Sequence, residues 1–208
     1  MQKTAGDLLY FANCTSIYTQ SDEISLFFPP IPENLSPPPP ALFNLRVSKL
    51  VSLTASYASV RFVAHMVCQM DSKDPLLPLL YHCHFDARAY NLEEREMSEN
   101  VLWRYEDTHK NGINNVGSML LGHRSIIKKS PSEVVAMLRN SRDFFFHDEH
   151  PAYRFGSWVK KQKMTKEMEH PISKQMQVVE RKKFGIFQIL GFFHSNSTFL
   201  FKDLQLLI

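Results

Sequence analysis

Apolar side chains recur along the chain at spacings that predict a mixture of helices and strands. Residues 4–12 predict the end of a helix, whereas residues 18–28 (YTQSDEISLFF) alternate like a strand, with every second residue apolar over 24–28. Asp22 and Glu23 interrupt that strand in its middle. The residues alone leave two interpretations open: a charged turn or edge that blocks unwanted strand pairing, or a carboxylate site for a divalent metal ion.

The first long apolar segment, residues 42–67, has the period of an amphipathic helix. Its predicted inner face contains Val47, Leu50, Val51, Thr54 and Ala58. Arg46 and Lys49 lie three residues apart and therefore project from nearly the same side of the helix. Two cations on one face can hold a phosphate, but an ordinary solvated face has the same pattern, so both interpretations stay open.

A second long helix, predicted over about residues 94–123, has a polar stripe beside an apolar one. The apolar stripe contains Val101, Tyr105, Thr108, Gly112, Val116 and Met119. The polar stripe contains Arg104, Asp107, Asn111, Asn115 and Ser118. Because Asn is a poor helix former, two Asn on one face indicate either solvent exposure or hydrogen bonding to a base, a ribose or a neighbouring strand.

The motif HCHFDARAYNL at residues 82–92 contains potential zinc ligands. In a strand, His82 and His84 share one face while Cys83 points to the other. No second ligand pair lies at zinc-finger spacing, so the pattern disfavours zinc.

A third helix and a further strand are predicted in the second half of the chain. Ser130 is a suitable N-cap, Pro131 fits the first helical position, and Glu133 completes a capping box. Residues 154–161 (RFGSWVKK) predict a strand that leads into a basic segment. Such a segment suits an RNA backbone, although basic runs are also common on solvated surfaces.

Composition indicates a globular chain: of 208 residues, 44% are hydrophobic and 22% charged. The net charge of +3 and the pI of about 8.7 permit an anionic partner without demonstrating one. Three scattered cysteines predict no disulfide framework and fit a reducing compartment. Residues 29–40 (PPIPENLSPPPP) predict an extended linker. The longest apolar stretches, near residues 184–193 and 198–208, are interrupted by polar residues and fall short of a membrane span.

Six blocks of this sequence, taken in order, resemble the tRNA(His) guanylyltransferase family. They are YTQSDEISLFF, NLRVSKLVSLTAS, FDARAYNL, NVLWRYEDTHKNGINNVGS, KKSPSEVVAML and YRFGSWVKK. The resemblance runs from about residue 4 to residue 161. It is closer to the guanylyltransferase-like branch, because this chain has HKNG where the tRNA(His)-dedicated branch typically has HINN.

The resemblance implies an α+β fold like a polymerase palm, with an antiparallel sheet backed by helices. It implies a nucleotidyltransferase that extends the 5′ end of tRNA in the 3′–5′ direction, either by guanylylation of tRNA(His) or by repair of truncated tRNAs. GTP and ATP would be substrates, and two Mg²⁺ ions would assist the transfer. By the same resemblance, tRNA and nucleoside triphosphates would be the partners of a homo-oligomer, with no membrane involved.

Matching to the family's motifs assigns roles to individual residues. Asp22 would bind the metal ion, with Glu23 as its acidic catalytic neighbour. The residues expected to bind nucleotide are Ser21, Arg46, Lys49, Arg88, Asp107, Asn111 and Asn115. Those expected to contact tRNA are His123, Arg124, Lys128 and Lys129.

One element of the family pattern is missing from this sequence. Relatives have an earlier strand that ends in a second metal-binding Asp followed by Gly, and no Asp-Gly pair occurs in the 208 residues. Two interpretations stay open: a fragment of an active enzyme, or a shortened homologue that binds tRNA or nucleotide without transfer. We expect residues 1–161 to form the truncated catalytic domain and 162–208 an extension of unknown role. A cytoplasmic location is expected, with a mitochondrial one left open.

Overall fold

The computed structural model describes residues 1–31, 41–169, 176–187 and 206–207. The helices in this part of the chain are α1 Gln2–Phe11, α2 Val47–Val67, α3 Glu94–Leu121, α4 His123–Ile126, α5 Pro131–Arg142 and α6 Pro151–Phe155. Short 3₁₀ helices occur at Leu42–Leu45, Leu77–His82 and Phe146–Asp148. The strands are β1 Ser16–Gln20, β2 Glu23–Phe28, β3 Tyr90–Asn91, β4 Ser157–Glu169, β5 Met176–Phe187 and β6 Leu206–Leu207.

The strands form one sheet in the order β3-β6-β2-β1-β4-β5, and the pairings between them are antiparallel. The longer strands β1, β2, β4 and β5 form the body of the sheet, whereas β3 and β6 have two residues each. β4 continues past residue 161, so the domain boundary predicted there falls inside a strand.

Helices α1 and α2 cover one face of the sheet. Ile17 of β1 and Leu26 of β2 pack in one cluster with Leu8 and Leu9 of α1 and Leu50 of α2. This burial follows from alternation along the strands, because only every second residue points to this face.

Helix α3 covers the opposite face. Tyr18 follows Ile17 on β1, and Phe27 follows Leu26 on β2, so both side chains point to this second face. There they pack with Trp158, Met97 and Val101. Because both faces are covered, all five residues of β1 are buried, which explains why β1 has no polar-out pattern.

A third apolar cluster joins α3 to α5. Ile113 and Val116 contact Val134 and Leu138 in this cluster. Gly117 allows the approach, since a Cβ at that position would lie 2.6 Å from a methyl carbon of Val134. The predicted N-terminus of α5 is confirmed: Ser130 caps the helix and forms a capping box with Glu133.

The single strand predicted over residues 18–28 is wrong. β1 ends at Gln20, Ser21 and Asp22 form a two-residue turn, and β2 begins at Glu23. The acidic pair therefore lies at the tip of a hairpin rather than inside a strand. A two-residue turn keeps the alternation of the two strands in phase, so alternation alone did not reveal the turn.

Other boundaries and faces differ in detail from the sequence prediction. Residues 82–92 form the end of a 3₁₀ helix, an extended segment and the short β3 rather than one strand. Residues 154–155 end α6, and β4 starts only at Ser157. Met119, predicted to be buried on α3, is 75% exposed, and Val47 of α2 is 58% exposed.

Helix α2, with 21 residues, is shorter than the 28-residue α3 but more apolar than the other helices that pack on the sheet. By length and composition it would be able to cross a membrane, a weak criterion that core helices of soluble proteins also meet. Leu50, Thr54 and Ala58 lie buried along one side of it. The three cysteines are free thiols, as their spacing predicted. Most of the predicted proline linker and most of the aromatic tail lie outside the described residues.

Candidate active site

The candidate site is centred on the β1–β2 hairpin tip. Gln20 and Glu23 face each other as the last pair of the ladder, and Ser21 and Asp22 connect them. Ser21 has a φ of 44°, the left-handed conformation that tight hairpin turns use. The Thr19 hydroxyl donates to the backbone carbonyl of Glu23 over 2.9 Å and closes the turn. Asp22, on this turn, is exposed.

Side chains from α3 fix both strands of the hairpin. Arg104 donates from Nη1 to Oε2 of Glu23 over 2.6 Å, and the Gln20 amide donates to the same oxygen over 2.9 Å. The Thr108 hydroxyl in turn has two acceptors for its one proton, the Gln20 carbonyl oxygen and the Arg104 backbone carbonyl at 2.7 Å. We call Tyr18, Gln20, Glu23, Arg104 and Thr108 the hairpin network.

Tyr18 links this network to α6. Its hydroxyl lies 3.1 Å from the Thr108 hydroxyl and donates to the Phe155 carbonyl over 2.7 Å. Burial raises the pKa of Tyr18 to about 12, which keeps the phenol protonated and able to donate. Gly156 makes room for it, since its φ is +74° and a Cβ there would lie 2.6 Å from the Tyr18 oxygen.

One side of the hairpin tip borders a cavity of about 300 Å³. We call it the charged cavity, because its lining includes Asp22, Glu23, Asp86, Arg88 and Arg104. Leu8 and Ala58 give it an apolar floor from α1 and α2. Arg88 pairs with Asp86 at 3.5 Å, and both side chains are more than four-fifths exposed. The lining thus combines three carboxylates and two guanidinium groups with a partly apolar floor.

The hairpin also borders a second cavity, of about 340 Å³. We call it the neutral cavity, because neither a carboxylate nor a Lys or Arg side chain lines it. Gln20 and Ser21 contribute from the hairpin, Asn111 and Asn115 from α3, and Tyr153 from α6. Burial, followed by the charge of Glu149, raises the pKa of Tyr153.

The structure brings some of the predicted residues together and separates others. Ser21, Asn111 and Asn115 meet at the neutral cavity, while Asp22, Glu23 and Arg88 meet at the charged cavity. Arg46 and Lys49 are exposed at the start of α2 and line neither cavity. Asp107 also lines neither, and its carboxylate instead accepts a 2.8 Å hydrogen bond from Asn111.

The residues predicted to contact tRNA form a separate exposed group beyond the far end of α3. His123 and Arg124 lie in α4, and Lys128 and Lys129 follow it. At 1.5 Å per helical residue, His123 is roughly 22 Å along the axis from Thr108. This group therefore lies well away from the hairpin tip.

The described residues do not fit a two-metal centre. Asp22, Glu23 and Asp86 border one cavity, yet in the part of the chain that the structure describes no three His, Cys, Asp or Glu side chains are grouped to hold a metal ion. In addition, Oε2 of Glu23 already accepts hydrogen bonds from Arg104 and Gln20. Asp22, the predicted metal ligand, is exposed on the turn and lines the charged cavity.

Several residues of the site were not among the predicted ones. Gln20 lies within the QSDE block, but nothing in the sequence indicates that its side chain would bridge β2 and α3. Arg104 and Thr108 belong to the two stripes recognised on α3, so their helix face was predictable although their partners were not. His150 and Tyr153 reach the neutral cavity because α6 packs on α3, a long-range contact without a local signal.

Comparison with known proteins gives a family match for the first part of the chain. Residues 1–93 match the family model described as tRNAHis guanylyltransferase. A curated relative, an uncharacterized protein of Acanthamoeba polyphaga mimivirus, is 28% identical in an alignment 159 positions long that covers 70% of this chain and 54% of the relative. The chain therefore spans about half the length of the curated relative that it matches.

Two solved structures share the fold. A bacterial tRNA(His) guanylyltransferase-like protein in complex with ATP matches with a TM-score of 0.66 at 22% identity, over 86% of this chain and 69% of that one. The tRNA(His) guanylyltransferase of Saccharomyces cerevisiae matches with a TM-score of 0.58 at 21% identity, over 76% and 71%. The predicted fold class is thereby confirmed, and the resemblance to the family is confirmed over residues 1–93.

Proposed function

We propose that this chain is a guanylyltransferase-type nucleotidyltransferase that binds a nucleoside triphosphate beside the hairpin tip and acts on the 5′ end of tRNA. The observation that carries the proposal is Asp22: it lies on the turn within the family-matched residues 1–93, beside a cavity that also presents Arg88. A structural relative is a complex with ATP, which supports a nucleotide as ligand.

The two arginines of the charged cavity suit different tasks. Arg88 pairs only with an exposed Asp86 in the described structure, and exposed ion pairs contribute about 1 kcal/mol or less. A phosphate can therefore displace Asp86 and take the guanidinium as a charge-assisted partner. Arg104 is 25% exposed and held at 2.6 Å by Glu23, so its task is to fix the hairpin rather than to bind phosphate.

The proposed reaction follows the direction that the family resemblance implies. The 3′-hydroxyl oxygen of the incoming nucleotide forms a bond to the activated 5′ phosphorus of the RNA. The bond from that phosphorus to its activating group breaks, and the hydroxyl proton passes to solvent. Because the described residues do not supply a metal-ligand set, we derive no step through Mg²⁺, and Asp22 remains a proposed ligand.

A second candidate is binding of nucleotide or tRNA without transfer. The observation that favours it is the absence, among the described residues, of a group of three potential metal ligands. Phosphoryl transfer depends strongly on metal ions that neutralise charge, so an incomplete ligand set weakens catalysis more than it weakens binding.

One experiment tests the proposal against the second candidate. Transfer of labelled GTP or ATP to a 5′-truncated tRNA is measured with Mg²⁺ for the wild type and for Asp22→Ala. Glu106→Ala is the matched control, since Glu106 is an exposed carboxylate of α3 that lines neither cavity. The proposal expects transfer that Asp22→Ala abolishes and the control retains. Binding of ATP and tRNA without any transfer by the wild type supports the second candidate instead, and transfer that survives in Asp22→Ala removes Asp22 from the mechanism.

A further inference from the structure

The neutral cavity contains hydrogen-bonding groups that a triphosphate does not need. Asn111 and Asn115 are one helical turn apart on α3, and both line it. Asn111 uses one amide hydrogen on Asp107, which leaves its carbonyl oxygen and its second hydrogen for a ligand. Asn115 is exposed beside it and presents the same donor and acceptor pair. Two planar amide edges therefore border one cavity.

Aromatic surface and a rigid wall complete this cavity. Tyr153 lines it and is 44% exposed, so part of its ring is open to a ligand. Gln20, only 6% exposed, is held at both ends of its amide by Thr108 and Glu23. Gly112 lets α3 lie close to α6, because a Cβ there would be 3.1 Å from the Phe146 ring and 3.4 Å from the Tyr153 carbonyl. The cavity is thus set by packed backbone rather than by surface loops.

The chemistry of this lining selects a class of ligand. The lining has no Lys or Arg side chain, and His150 is its one side chain that can become positively charged, so the cavity is poorly suited to a multiply charged triphosphate. Amide side chains match the donor and acceptor edges of nucleobases, and aromatic rings stack on their faces. At about 340 Å³ the cavity is within the size range of small-ligand sites.

We propose that the neutral cavity is a nucleobase site, in which Asn111 and Asn115 read the edge of the base and Tyr153 stacks on it. The inference rests on the proposed nucleotide-dependent function and deepens it by separating base recognition from phosphate binding. Ser21 lines the neutral cavity and Asp22 the charged one, and their Cα atoms are about 3.8 Å apart. A base in one cavity and a phosphate in the other therefore meet at the turn.

The base has two possible sources, the free nucleotide or the end of the RNA. The first arm of the test compares the affinities of ATP and GTP with that of ribose 5-triphosphate. The second compares a 5′-phosphorylated RNA with the same RNA lacking its 5′-terminal base. Both arms are measured for the wild type, for the double variant Asn111→Ala/Asn115→Ala and for Asn114→Ala. Asn114 is an exposed neighbour on the same helix that does not line the cavity. Since Ala favours helix, none of these variants threatens folding.

The inference expects the base to strengthen wild-type binding by about fivefold or more in at least one arm. The double variant should remove that gain, and Asn114→Ala should keep it. A gain confined to the first arm assigns the free nucleotide, and one confined to the second assigns the RNA. Equal binding with and without the base in both arms overturns the inference, and so does a gain that the double variant retains. Failure of the proposed function appears elsewhere, as absent transfer or as transfer that Asp22→Ala does not affect.

Discussion

The two cavities beside the hairpin tip differ in charge and in how much of each lies within the family-matched part of the chain. The charged cavity is formed almost wholly by residues 1–93, with Arg104 as its one lining residue beyond them. The neutral cavity takes only Gln20 and Ser21 from that part and the rest from α3 and the segment around α6. The family-matched segment thus supplies most of the charged cavity, while the neutral cavity depends on how the second half of this chain packs.

The wall between the cavities is a set of buried hydrogen bonds. Gln20 contacts Glu23 on the charged side and Thr108 on the neutral side, and Thr108 contacts Tyr18. In a low-dielectric interior such a network is rigid when every member is paired, and costly when one member is lost. Perturbing single members therefore tests whether the two cavities depend on one another.

The largest expected effect on the stability of the fold is that of Gly156→Ala. The new Cβ would lie 2.6 Å from the Tyr18 oxygen at a φ of +74°, which adds overpacking to backbone strain. We expect the free energy of unfolding to fall by about 2–5 kcal/mol, measured by urea denaturation. Gly122→Ala is the matched control, because Gly122 has a φ of +86° with no atom within 4 Å of its Cβ position. Equal losses for both variants would show that the contact with Tyr18 contributes nothing.

The second effect is that of Thr108→Val, which removes the hydroxyl and keeps the shape. Gln20 then loses the donor to its buried carbonyl oxygen, so we expect a loss of about 1–3 kcal/mol. Thr54→Val is the control: its hydroxyl is buried and has no hydrogen-bond partner among the described residues, so its removal should be neutral or stabilising. If both substitutions cost the same in urea denaturation, the network does not stabilise the wall.

Features that depend on residues close together in the sequence were predicted, whereas contacts between distant residues were not. The capping box of α5 and the polar stripe of α3 were predicted correctly, because both depend on residues within one or two helical turns. Alternation alone predicted one strand over residues 18–28, since a two-residue turn without Gly or Asn gives no turn signal and preserves alternation. A turn at Asp22 was one of the interpretations left open, and the family resemblance placed Asp22 on a hairpin. The bridge from Gln20 to Thr108 joins residues 88 positions apart, and no local pattern specifies such a partner. The roles assigned to Arg46 and Lys49 from the family blocks stay predictions.

A smaller effect on stability is expected for the packing behind the neutral cavity, and it should depend on pH. His109 stacks on Phe155 at 5.3 Å and contacts Phe146, the ring that lies against Gly112. Burial, with the charge of Arg154 adding to it, lowers the pKa of His109 although a backbone hydrogen bond opposes the shift. The unfolded chain therefore binds a proton at a higher pH than the folded chain does. Stability should fall as the pH drops from above about 6.5 through the lowered folded value.

The test compares unfolding midpoints at pH 7.5 and 5.5. His109→Phe, which keeps a stacking ring, should lose less stability between these pH values than the wild type does. His123→Ala, at an exposed histidine, should behave like the wild type. A wild-type pH dependence that persists fully in His109→Phe would assign the effect to another group.

The smallest expected effect on stability is in the packing behind the charged cavity, and its pH dependence should lie at lower pH. Asp7 of α1, one residue before Leu8 in the cavity floor, accepts from Arg61 and His65 of α2, each over 2.6 Å. Burial alone would raise the pKa of Asp7, but the hydrogen bonds and charges of the two partners together lower it. Its contribution is thus fully present above the ordinary Asp value of about 3.9 and is lost as the pH falls through the lowered folded value.

Asp7→Asn should therefore cost about 1 kcal/mol or less at pH 7, because the group is partly exposed, and the difference from the wild type should shrink towards pH 3. Glu99→Gln breaks the more exposed Arg95–Glu99 pair and should cost less still. A difference between Asp7→Asn and the wild type that is the same at pH 7 and pH 3 would mean that the Asp7 charge does not stabilise the α1–α2 contact. Because the stability that depends on His109 is lost below about pH 6.5 and the stability that depends on Asp7 only below about pH 3.9, a pH series would separate the packing behind the two cavities without a change in either lining.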